Sequence, residues 1–177
     1  LHKVDIETGE GEAVATAGSS DFSYDYMAYG DGMLFVATSN SIEAVDIDTL
    51  KSIGKVTGSF NYYHPVQYNK GYVICNGNIF KVNKDSENIL ERVGEGTIEG
   101  DSFGWSQGAF VGDYFYVTAA NNIYCVDYKT NTTVYSYSFD PDSTSSIITG
   151  QVCYDENTGY LYWASYKQNS LYAIRVN

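Results

Sequence analysis

Basic residues are scarce in this chain: 10 Lys and Arg stand against 22 Asp and Glu over 177 residues, a formal net charge of −12. Nucleic acid and anionic membrane surfaces both call for a basic footprint, so neither is an expected partner, and acidity of this size reads as a solubility feature. Cysteine is rarer still. Cys75, Cys125 and Cys153 are odd in number and far apart, which gives neither a disulfide framework nor a Cys-x-x-Cys metal site. Each sits in an apolar strand pattern, where a free thiol is expected to be buried. The two histidines, His2 and His64, are too distant in sequence for a zinc signature. No apolar run approaches the roughly 18 residues of a membrane-spanning helix, and no signal-peptide pattern is present.

What the chain has in quantity is aromatic and turn chemistry. Its 18 Tyr and 8 Phe, with many Val, Ile and Thr, favour pleated half-buried surfaces, 17 Gly supply turns, and only 2 Pro interrupt them. With 44% hydrophobic and 18% charged residues, the composition is that of an ordered globular domain.

One phrase recurs five times: LHKVDIETGE at Leu1, SIEAVDIDTLK at Ser41, NIFKVNKDSEN at Asn78, NIYCVDYKTNT at Asn122 and SLYAIRVN at Ser170. Aligned on Val4, Val45, Val82, Val126 and Ile174, the copies stand 41, 37, 44 and 48 residues apart. That period belongs to the blades of a β-propeller, each a four-stranded antiparallel sheet that needs neighbours to cover its faces. The expected fold is therefore all-β, with about four blades present as an arc or fragment of a larger ring.

Four strands, A to D, are legible in each repeat. Strand A reads YMAY, PVQY, QGAF and QVCY, and strand B reads MLFVAT, YVICN, YFYVTA and YLYWAS after turns such as Gly30-Asp31-Gly32 and Asn69-Lys70-Gly71. Strand C is the recurring phrase, with alternate residues such as Ile42 and Ala44, or Ile123 and Cys125, expected to pack on the next blade. Asp5, Asp46, Asn83 and Asp127 follow it, each with Thr or Ser three residues on, which is the chemistry of a C–D turn rather than of catalysis. Strand D is the most polar, as an outer edge should be.

This division gives a half-blade at 1–16, blades at about 24–57, 62–93 and 105–138, and a partial blade at 147–176. The chain opens at Leu1 inside a repeat and so reads as a piece of a longer protein. Strand D near Glu12 could close a ring of four against the last blade, but Leu1–Asp5 would then duplicate strand C. An arc completed by further blades or by a second copy of the chain is the expectation preferred here.

The sequences VDIETGE and AVDIDTLKSIGKV after the GMLFVAT strand resemble the PQQ-like repeat of quinoprotein-type propellers, over nearly the whole chain. That superfamily includes quinone-dependent dehydrogenases and bacterial surface proteins, and it shares the propeller architecture with WD40 and YVTN-like repeats. The dehydrogenase repeat ends in Gly-Lys-x-x-Trp; here Ala15, Val56, Val93 and Tyr137 occupy the tryptophan position. The resemblance therefore implies a degenerate repeat of a non-enzymatic binding or scaffold module, extracellular or at a bacterial cell surface. Its ligand would be a protein, peptide or glycan, with no cofactor, no metal and no catalytic residue assigned. The alternative it implies is a fragment of a propeller enzyme, a quinoprotein oxidoreductase or a lyase or hydrolase.

Other motifs dissolve on inspection. Gly104-Trp105-Ser106-Gln107-Gly108 fits Gly-x-Ser-x-Gly, but a strand follows where a nucleophile elbow needs a helix, and both histidines precede Ser106. Asp140-Pro141-Asp142-Ser143-Thr144 lacks the bidentate glutamate of a calcium loop. One positional pattern remains. Before strand A, equivalent columns hold Tyr24, Tyr63 and Trp105, then Asp25, His64 and Ser106, with Gln107 and Gln151 just after. Inner strands of a propeller start at the channel mouth, so these eight residues form the expected ligand-binding site, aromatic faces beside polar tips. Packing of the aromatics between blades is the competing reading.

Overall fold

In a computed structural model, the described residues are 2–13, 26–38, 40–58, 60, 65–98, 106–119, 121–139, 150–165 and 169–176. They form strands with no α-helix among them. A hairpin, β1 (His2–Val4) and β2 (Gly11–Ala13), comes first. The first sheet follows as β3 (Met27–Gly30), β4 (Met33–Ala37), β5 (Ser41–Asp46) and β6 (Ser52–Thr57). The second is β7 (Val66–Asn69), β8 (Tyr72–Cys75), β9 (Asn78–Val82) and β10 (Leu90–Arg92). The third is β11 (Ala109–Val111), β12 (Tyr114–Ala119), β13 (Asn122–Asp127) and β14 (Thr132–Ser138). The last holds β15 (Cys153–Asp155), β16 (Tyr160–Ser165) and β17 (Ser170–Arg175). Within each sheet, sequential strands pair antiparallel as a meander, which is the construction of a propeller blade. Among the described residues, β2 pairs with β1 and not with β17, so the sheets do not close into a ring by strand pairing.

Tight turns set the register. Asp31-Gly32, Lys70-Gly71 and Asn76-Gly77 each put two consecutive residues at positive φ, from 44° to 81°, between paired strands. That is the two-residue hairpin whose twist matches the flanking strands. In the C–D turns the Asp5 Oδ1 accepts the N–H groups of Glu7 and Thr8 at 2.8 and 3.0 Å, and the Asp46 Oδ1 accepts the Thr49 N–H and hydroxyl, both at 2.7 Å. The same Asp-x-x-Thr device recurs at Asp155 in the longer turn between β15 and β16. Register shifts at Ala44/Val45 and Cys125/Val126 place an irregularity at the same column of the first and third sheets.

Three apolar cores lie between successive sheets. Met33, Phe35, Ala37, Ile42 and Ala44 of the first sheet meet Val66, Val73, Cys75 and Phe80 of the second. Ile74 and Ile79 meet Phe115, Val117, Tyr124 and Val126 of the third. Tyr116, Ile123 and Cys125 meet Val152, Leu161 and Trp163 of the last. The inner strands of the second and third sheets thus alternate between a side turned to the preceding sheet and a side turned to the following one. The expected packing of Ile42, Ala44, Ile123 and Cys125 against the next blade is observed. For Cys153 the expectation of burial is overturned: Cys75 and Cys125 are buried, Cys153 is exposed. Its strand is apolar, but its side chain lies on the face of the last sheet that no other described sheet covers.

The first and second sheets are keyed together at one point. Tyr68 of β7 stacks on Phe35, with ring centroids 5.5 Å apart and planes at 5°, and its ring fills the space where a side chain on Gly30 would stand, 2.1 Å from an added Cβ. The Tyr68 hydroxyl accepts the Gly71 N–H at 2.9 Å. Burial and the neighbouring Asp31 push its ionisation up to about 12. The ring is therefore neutral and packed at any physiological pH. Gly30→Ala should force Tyr68 out of register and cost about 1–3 kcal/mol, the range for overpacking, measured by urea unfolding, whereas a conformationally free glycine would show a change near zero.

Candidate functional site

The inner strands β3, β7, β11 and β15 stand side by side, and at the starts of β11 and β15 some peptide groups bond across to a neighbouring sheet. Gln67 Nε2 donates to the Gly108 carbonyl at 2.7 Å while its Oε1 accepts the Gly108 N–H at 2.8 Å, so a single side-chain amide satisfies the peptide groups of Gly108. One residue earlier, the Gln107 carbonyl accepts the Val152 N–H at 2.8 Å. These bonds explain why β11 begins at Ala109 and β15 at Cys153, two residues later than the sequence suggested. The groups that would extend the ladders are spent on the seams. Gly108 also has no room for a side chain, since an added Cβ would stand 2.2 Å from the Phe115 ring.

This stitching places Ser106, Gln107 and Gln151 in one neighbourhood at the entrances of the third and last sheets. Ser106 and Gln107 are half-buried and Gln151 is exposed. The Thr118 hydroxyl donates to Ser106 Oγ at 3.2 Å. Ser106 leads into a strand and hairpin, β11 to β12, so the nucleophile-elbow geometry is absent, as the sequence indicated. Tyr24, Asp25, Tyr63, His64 and Trp105 lie outside the described residues, as does the Asp140–Thr144 turn. Gln67, which holds the seam, was missed by sequence reasoning; its column is Ala28, Ala109 and Cys153 in the other sheets, and nothing in that column announces an amide clamp.

A second concavity was also missed. A cleft of about 530 Å³ opens between the β1–β2 hairpin and the outer side of the first sheet, lined by His2, Lys3, Met27, Tyr29, Leu34 and Val36 among others. The signal available in the sequence was the apolar character of Met27 and Tyr29, which the structure leaves 52% and 62% exposed. Nearby, Glu43 is buried on the same side, with Lys55 Nζ 3.1 Å from its Oε1.

The acidic residues do not converge. Among the described residues no three His, Cys, Asp or Glu side chains are grouped so as to hold a metal ion. The Asp46-Ile47-Asp48 segment belongs to a turn whose first carboxylate is committed to Thr49. Its hydrogen bond from the Thr49 hydroxyl holds the Asp46 carboxyl below the ordinary 3.8, the Thr158 hydroxyl does the same for Asp155, and the Thr8 N–H for Asp5. A carboxyl depressed in the folded state contributes stability that is present above its unfolded value and is lost as pH falls through the folded one. Titration followed by carboxyl carbon resonances should therefore give midpoints below 3.8 for all three, and Asp46→Asn should shift the low-pH arm of the stability profile. Gln67→Ala should destabilise by about 1–3 kcal/mol by stranding the buried Gly108 groups, read from denaturant midpoints.

No protein-family model matches the sequence, and no curated protein matches it. Among solved structures, the computationally designed Ika4 protein superposes with a TM-score of 0.68 at 13% identity, over 94% of this chain and 98% of that one. BamB from Moraxella catarrhalis gives 0.59 at 18% identity, over 84% of this chain and 45% of that one. The β-propeller domain of Swd1 from Myceliophteria_thermophila gives 0.62 at 13%, over 86% and 50%. The fold is thus a β-propeller arrangement, and the chain spans about half the length of the BamB and Swd1 propeller chains.

Proposed function

We propose that this chain is a non-enzymatic binding or scaffold region of a propeller, outside the cell or at a bacterial cell surface, whose ligand is a protein, peptide or glycan. The observation that supports this reading is the seam chemistry. Gln67, Gly108, Gln107 and Val152 join three adjacent inner strands across their seams, which supports a fixed row of strand starts as the place where a ligand would be met. A row that carries the amides of Gln107 and Gln151 and the hydroxyl of Ser106 suits recognition of a polar ligand at little ordering cost. The repeat itself reads as a degenerate PQQ-like repeat, and the loss of its terminal tryptophan favours binding over quinone chemistry.

Screening the chain on glycan and peptide arrays tests the reading directly. A hit should be weakened by about 2 kcal/mol or more on Trp105→Ala, and less on Gln151→Ala, if Trp105 is an anchor of the mouth, with the melting temperature nearly unchanged. A large drop in melting temperature would assign Trp105 to the core between sheets. Tight binding of pyrroloquinoline quinone in the presence of calcium, with dye reduction, would overturn the non-enzymatic reading.

A further inference from the structure

We propose that the outer edge of the third sheet is a pairing surface, on which β14 adds antiparallel to β14 of a second copy of this chain across a two-fold axis. Among the described residues β14 pairs with β13 alone and holds the outermost position of its sheet. Both faces of this sheet already carry a neighbour, the second sheet on one and the last on the other. Its edge is therefore open independently of where the chain begins or ends. The edge is also remote from the inner strand β11, the width of the sheet away from the strand starts where a ligand would be met.

An exposed edge is a template for another strand, and edges that must stay single are kept short or charged. The outer strands of the first two sheets follow that rule: β6 carries Lys55, and β10 is three residues long with Glu91 and Arg92. β14 does not. At seven residues it is the longest of the described strands, and five of the seven are exposed. From Thr130 to Phe139 no residue is charged. In a chain of net charge −12, this is a stretch that two copies can bring together without opposing like charges.

The ladder shows which groups are offered. The Phe139 N–H donates to the Asn121 carbonyl at 3.0 Å, and antiparallel pairs alternate between bonded and unbonded. Phe139, Tyr137 and Tyr135 therefore spend their peptide groups on β13, while Ser136 and Ser138 turn theirs outward. The irregularity in this ladder falls at Val134, short of the stretch in question. Read in either direction, Tyr135-Ser136-Tyr137-Ser138-Phe139 alternates aromatic and Ser, the self-complementarity that an isologous contact demands. With Tyr137 on the axis, Ser136 of each copy exchanges its peptide hydrogen bonds with Ser138 of the other. Tyr137 then stands opposite Tyr137, and Tyr135 opposite Phe139, in the pair type that brings side chains closest. Tyr135 is already held: its hydroxyl donates to Tyr116 Oη at 3.4 Å, with ring centroids 6.3 Å apart, which lowers the ordering cost of pairing.

Light scattering across a dilution series, with amide exchange followed by nuclear magnetic resonance, tests the proposal. The expected result is a particle of twice 19.6 kDa that dissociates on dilution, with the Ser136 and Ser138 amides protected in the pair and exchanging freely in the single chain. Tyr137→Lys and Tyr137→Glu, at a position 55% exposed, should each leave the circular dichroism spectrum unchanged. Each should weaken pairing by about tenfold or more, because it sets like charges face to face on the axis. Mixed together, the two variants should pair better than either alone, since opposite charges then meet. A chain that stays monomeric at every concentration would overturn the proposal. So would a pair whose Ser136 and Ser138 amides still exchange freely, a pair that neither substitution weakens, or a mixture that pairs no better than either variant.

Discussion

Each of the four larger sheets among the described residues is apolar on both sides, and that is the constraint from which the architecture follows. In a half-solvated antiparallel sheet, alternate residues are polar and one face suffices to make a core. In this chain both alternations are apolar: Phe35 and Val36 are consecutive and both buried, as are Val73 and Ile74, or Ile123 and Tyr124. Such a sheet is unstable alone, because either uncovered face exposes several large side chains at about 25 cal/mol per Å² of apolar area. Stacking side by side is the solution that covers both, and it makes each sheet a structural element only in the presence of its neighbours.

The seams between sheets then need polar solutions of their own. Where two inner strands approach, their peptide groups are drawn away from water without reaching a strand partner, and each such group is costly if left unpaired. Gln67 resolves this for Gly108 with one amide, and the Gln107 carbonyl resolves it for Val152. Tyr68 adds a shape key, its ring occupying the volume left by the missing side chain of Gly30. Specificity of sheet order thus comes from a few directional contacts set into a larger, less discriminating apolar contact.

Much of this was legible in the residues because it is local. Strand B is found at Tyr114–Ala119 and Tyr160–Ser165, where the repeat placed it, since consecutive apolar residues bounded by glycine turns admit little else. The aspartate turns could be read because an Asx hydrogen bond depends on neighbours two and three residues away. The seams could not be read, because Gln67 and Gly108 are 41 residues apart and neither is unusual in its own segment. The same holds for the exposure of Cys153, which depends on what lies beyond its sheet rather than on its strand. Of the residues expected at a mouth, Ser106, Gln107 and Gln151 fall among the described residues, and their nearness follows from those seams.

The stacking of interior sheets also has a consequence for how the molecule breathes. Among the described residues the apolar cores lie between adjacent sheets, so the cost of opening one sheet is set by its intrinsic stability plus the interfaces that it loses, as in a one-dimensional array. The second and third sheets each lose two cores on opening, whereas the last loses one. Amide protection should accordingly be highest in β8 and β12, whose sheets must give up two cores to open.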